Sequence, residues 1–151
     1  MSRFGVGFIG GTRGDRPWLA RSDYSFAADT GAQGAYTVFT VTGDVLIHAI
    51  FGICGTTFTS GGAATIELGV SGSTAVLIAQ TTATDLIANE LWFDASPTTA
   101  IEQLDLTTRS FVVSNGQDFI FTIGAADLTA GLVNLYCIWS PLSATGNVVA
   151  A

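Results

Sequence analysis

Leu132-Val133-Asn134-Leu135-Tyr136-Cys137-Ile138-Trp139-Ser140, stopped by Pro141, is the stretch on which the reading of the fold turns. Side chains alternate between the two faces of a strand. Here Val133, Leu135, Cys137 and Trp139 share one face, and Leu132, Tyr136 and Ile138 are on the other, so both faces are apolar. A lone antiparallel sandwich keeps one face of each sheet polar. Two apolar faces call for a second covering layer. That layer is a sister subunit, or the chain's own arm or a long loop; an oligomer is the expectation.

Working outward, short runs rich in Val, Ile, Thr and Phe recur from Tyr36, separated by Gly, Ser, Asn and Asp, which is the pattern of strands and turns. Strands are expected at residues 36–42, 45–51, 65–70, 75–79, 110–114, 117–123 and 132–140, with weaker ones at 91–94 and 100–104. In the second, Val45, Ile47, Ala49 and Phe51 would share a face opposite Leu46, His48 and Ile50. Turns are expected at Thr42-Gly43-Asp44, at residues 57–62 and at Ser71-Gly72-Ser73. Asn115-Gly116 is the strongest two-residue hairpin signal in the chain. Only residues 84–89 and 125–130 suit a helical turn, and no apolar stripe of helical period is sustained. The expected class is all-β: an antiparallel jelly-roll or β-sandwich-like barrel with an extended N-terminal arm. The expected division is an arm at 1–35, a β-domain at 36–142 and a C-terminal tail at 143–151.

Composition agrees with one domain. Of 151 residues, 48% are apolar and only 11% charged, against about 25% charged in an average soluble domain. All five bases are arginine, and polarity is carried by 20 Thr and 18 Gly. The chain is too apolar to be wholly disordered and, at net charge −7, too acidic to coat nucleic acid by charge. No apolar run reaches the length of a membrane-spanning helix, and the N-terminus does not suit a signal peptide. Cys54 and Cys137 lie in apolar strand-like runs and read as buried thiols rather than a disulfide.

Charge divides the chain. Residues 1–21 hold four arginines and one acid, a local charge of +3; residues 22–151 hold eleven acids and Arg109, a charge of −10. The basic segment is glycine-rich and carries Phe4, Phe8, Ile9, Trp18 and Leu19. It reads as an arm that docks on something, with Trp18 the first choice of intermolecular anchor.

The motifs that suggest chemistry are weak. Gly5-Val6-Gly7-Phe8-Ile9-Gly10 matches the dinucleotide pattern, but only four residues precede it and Gly11-Thr12-Arg13-Gly14 opens no helix. Arg13-Gly14-Asp15 is a three-residue coincidence. His48 is the only histidine and lies mid-strand, where a satisfied histidine in a strand or subunit interface is the better reading than catalysis. Zinc needs more ligands than one His and two distant Cys, and no Asp-x-Asp spacing suits calcium. Glu90, Asp94, Glu102 and Asp105 read as a solvated acidic rim. No catalytic residue, cofactor or metal is expected.

The segment Val41-Thr42-Gly43-Asp44-Val45-Leu46-Ile47, followed by Phe51-Gly52-Ile53-Cys54-Gly55-Thr56-Thr57 and then Ile66-Glu67-Leu68-Gly69, resembles small virion proteins of bacteriophages. Together with the Thr-, Gly- and Ala-rich composition and the basic arm, residues 36–140 resemble the head decoration (cement) proteins of tailed phages. The resemblance implies a homotrimer on the exterior of the virion capsid, assembled in the host cytoplasm. Its partner would be the major capsid protein, with no role for nucleic acid or membrane. The capsid-binding arm would use Arg3, Phe4, Phe8, Arg13, Arg16, Trp18 and Arg21. His48, Tyr136 and Trp139 are expected at the subunit interface. The second reading is a carbohydrate- or receptor-binding sandwich of a tail fibre or spike, which would show an exposed aromatic platform.

Overall fold

The computed structural model describes residues 16–99 and 110–151. Their strands form two antiparallel sheets packed on each other, an all-β sandwich. Sheet A runs β1 (Trp18–Ser25), β9 (Leu128–Pro141), β3 (Val45–Ser60). Two short strands share the far side of β3: β6 (Leu91–Trp92) opposite Gly52 and Ile53, and β7 (Phe111–Val113) opposite Val45, Leu46 and Ile47. Sheet B runs β10 (Asn147–Ala150), β2 (Gly34–Thr42), β8 (Phe119–Gly124), β4 (Thr65–Val70), β5 (Ser73–Thr82). One helical turn, α1 (Phe26–Asp29), follows β1.

The core is aromatic. Tyr24, Phe39, Phe58, Trp92, Phe119 and Phe121 are fully buried. Tyr24 stacks on Phe121 with ring centroids 4.4 Å apart and donates its hydroxyl to the Thr30 carbonyl. Trp92 Nε1 donates to Thr81 Oγ1 at 2.9 Å, so the polar end of this buried ring is satisfied. Each such side chain contributes about 1.5–3 kcal/mol through burial.

His48 sets which residues of β3 reach this core. Ile47 pairs with Trp139 and Ala49 with Ile138, so His48 is an extra residue, a β-bulge. Val45 and Ile47 are buried before it; Ile50, Gly52 and Cys54 are buried after it. A one-residue insertion exchanges the faces of everything beyond it. Phe51, expected beside Val45 and Ile47, therefore turns outward, and Ile50 turns in.

Other expectations change as well. Trp18–Ser25, read as part of the arm, is an edge strand, because Ala20 and Tyr24 alternate into the core opposite Cys137 and Val133. The tail at 143–151 supplies β10, which pairs with β2 and buries Val148. Residues 57–60, read as a turn, continue β3 to Ser60, and Leu128–Ala130, read as helical, already belongs to β9. The strand at 91–94 shortens to Leu91–Trp92, and the 84–89 turn reduces to a single 3-10 turn at Ala83–Asp85. Asn115 and Gly116 do adopt the left-handed turn conformation, with φ of 58° and 64°. They nevertheless join β7 in sheet A to β8 in sheet B, so the turn chemistry is right and the hairpin is not. The Gly116 N–H donates to the Gly43 carbonyl at 3.1 Å, and the Asn115 N–H to Asp44 Oδ1 at 3.2 Å, which ties this crossover to the one at Gly43 and Asp44. The strand expected at 100–104 lies outside the described residues.

A candidate association surface

The two outer faces of the sandwich differ. On sheet B, Thr37, Thr40, Thr42 and Thr65 form a mainly hydroxyl-bearing surface, with Val149 exposed opposite Thr40. On sheet A the outward side chains are largely apolar or aromatic. Strand β1 presents Leu19, Arg21 and Asp23 there, opposite Ile138, Tyr136 and Asn134 of β9. Strand β3 adds Leu46, His48, Phe51 and Ile53, and β7 adds Val112 opposite Leu46. Leu19 is 51% exposed, Ile53 39% and Val112 69%.

A three-strand ladder forms the centre of this face. Arg21, Tyr136 and Phe51 are direct cross-strand neighbours on β1, β9 and β3. The Tyr136 and Phe51 rings stack, centroids 5.4 Å apart and 20° from parallel, and the Arg21 guanidinium carbon lies 5.8 Å from the Tyr136 centroid. Beside the ladder is an open depression of about 230 Å³ lined by Arg21, Ser22, Asp23, Asn134, Leu135 and Tyr136. His48 Nε2 lies 2.8 Å from Ser140 Oγ, a hydrogen bond that anchors the bulge across to β9. At the β7 edge the face runs into a mainly apolar groove of about 180 Å³ between β7 and β5, lined by Val76, Leu77 and Phe111 among others.

The structure separates the residues expected at interfaces. His48 and Tyr136 lie on this outer face. Trp139 does not: it points between the sheets, is 4% exposed and packs on Trp18, with centroids 5.8 Å apart. Trp18, expected as a free anchor, is thus the open end of the core, although 47% of it remains exposed. Arg21 is a sheet residue and Arg16 an exposed one just before β1. Arg3, Phe4, Phe8 and Arg13 lie outside the described residues. The residues missed at this surface are Phe51 and Ile53; Leu19 is expected only as part of the arm, and Ile138 is expected on this face. Alternation in β9 shows Ile138 beside Tyr136, but nothing local in the sequence announces the bulge that turns Phe51 out.

The remaining reactive groups are inert by burial. Cys54 and Cys137 are free, buried thiols, as expected. Burial pushes Cys54 up to about 11, helped by the nearby Glu90 carboxylate, and Cys137 up to about 12. Among the described residues no cluster of three or more His, Cys, Asp or Glu could hold a metal ion, and no helix is long and apolar enough to cross a membrane. No protein family, curated protein or solved structure matches this chain.

Proposed function

We propose that this chain is a structural virion protein, a tailed-phage head decoration protein that binds the outer surface of the major capsid protein shell as a homotrimer and stabilises it. The observation that carries the reading is the apolar outer face of sheet A, on a two-layer sandwich whose other outer face is threonine-rich. Such a face has to be covered in use, which suits a protein built for assembly. The order of strands supports a jelly-roll topology: β1 pairs with β9, β2 with β8, β3 with β7 and β4 with β5, so the pairs nest as in one long hairpin wrapped into two sheets. The charge division supports the orientation. The basic N-terminal segment faces the shell, where arginine forks can meet carboxylates, and the acidic body faces solvent. With Trp18 and Arg21 built into β1, shell contacts fall to Arg3, Phe4, Phe8, Arg13 and Arg16.

The fibre or spike reading has less support. A sugar platform offers an open ring face, whereas Tyr136 has Phe51 on one side and Arg21 on the other. Quantifying the protein on purified intact particles tests the proposal. Hundreds of copies per particle are expected, lost when residues 2–15 are removed. A handful of copies, or full occupancy by the truncated chain, would overturn the decoration role or the role of the arm respectively.

A further inference from the structure

We infer that the outer face of sheet A is the surface through which copies of this chain meet, with Arg21 of one copy pairing with Asp23 of its neighbour. The inference takes from the assembly reading above only that copies of this chain associate, not their number, and names the occupant of the face.

Charge selects that occupant. Residues 22–151 carry −10, so two bodies repel each other over most of their surface. Arg16 and Arg21 are the only bases among the described residues, and Arg21 lies on this face. Its guanidinium rests over Tyr136 and makes no ion pair with any described residue. Asp23, two residues along β1 on the same side, also has no hydrogen-bond or ion-pair partner among the described residues. A surface with an unpaired guanidinium over Tyr136 and an unpaired carboxylate opposite Asn134, side by side, is complementary to itself. A uniformly acidic or basic partner would satisfy one group and oppose the other. Size agrees: four strands at about 4.8 Å spacing and about eight residues at roughly 3.3 Å each give on the order of 500 Å² per copy. Two such faces remove on the order of 1,000 Å², about the least that a biological interface needs.

The test is the mass of the full-length protein in solution, by light scattering on a sizing column at micromolar concentration. An oligomer is expected. Ile53→Asp and Leu19→Asp, at exposed positions of the face, should weaken association about tenfold or more, with circular dichroism unchanged. Thr37→Asp on the opposite face should leave it intact. Arg21→Glu should weaken association, and adding Asp23→Arg to the same chain should restore it, which a merely structural role for either residue would not do. A monomeric wild type, an Ile53→Asp oligomer of unchanged affinity, or no restoration by the double reversal overturns the inference. Should the Asp variants not fold, a photo-crosslinker at position 53 should give covalent dimers and one at position 37 none; the reverse result overturns it. A monomer found at hundreds of copies on particles removes this inference and leaves the virion reading standing. An oligomer absent from particles removes only the latter.

Discussion

At the scale of single residues, burial decides both stability and reactivity. Trp92 is wholly buried, and its indole N–H depends on one acceptor, Thr81 Oγ1. Thr81→Val keeps the shape and removes the acceptor, which should cost about 1–3 kcal/mol, measured by urea unfolding. Gly131 has φ of +146°, and a Cβ there would lie 2.5 Å from the Phe58 ring. Gly131→Ala combines backbone strain with overpacking and should destabilise by about 2 kcal/mol or more. The thiols give a pH prediction. Both are held above their ordinary value of 9.0 by burial, which favours the neutral form. Their contribution to stability is therefore full below pH 9 and is lost as pH rises through about 11 for Cys54 and about 12 for Cys137. Native protein at pH 8 should leave both unreacted with a chromogenic disulfide, and unfolded protein should react at both.

At the scale of elements, the first and last strands close the sandwich. Strand β1 covers Val133, Leu135, Cys137 and Trp139 along the edge of β9. A chain beginning at residue 26 should therefore not fold, which thermal circular dichroism reads directly. Removing residues 1–20 would take Trp18 from Trp139 and confuse lost docking with lost folding. The Asn115-Gly116 crossover makes the second element-scale case. A Cβ at Gly116 would lie 2.8 Å from the Val41 carbonyl oxygen, on a residue already at φ +64°. Gly116→Ala should cost about 1–2 kcal/mol, measured by denaturant unfolding, although the residue touches no hydrophobic core.

At the scale of the whole molecule, the two sheets have divided their duties: one faces water with threonines, the other presents an aromatic and aliphatic surface with one cation at its centre. Association through such a face is opposed by the net charge of the acidic bodies and driven by apolar burial. Raising salt from low ionic strength should screen the repulsion and tighten the oligomer. Sedimentation at several salt concentrations checks this, and dissociation with salt would mean that ion pairs, not apolar area, hold the copies together.

The amino-acid pattern alone determined the all-β class, most strand positions and the two-faced character of β9, because period-two alternation and turn residues are local properties. It also located the buried thiols. Tertiary structure decided what depends on pairing between distant segments. The eight residues of β1 lie among glycines and charges, and they become a strand only against β9. The bulge at His48 arises from a count mismatch between β3 and β9, and it alone turns Phe51 outward to meet Tyr136 and Arg21. The same non-local pairing sends Asn115 and Gly116 between sheets and Trp139 into the core. No single stretch of chain contains its partner's register, and register is what assigns each side chain to core or surface.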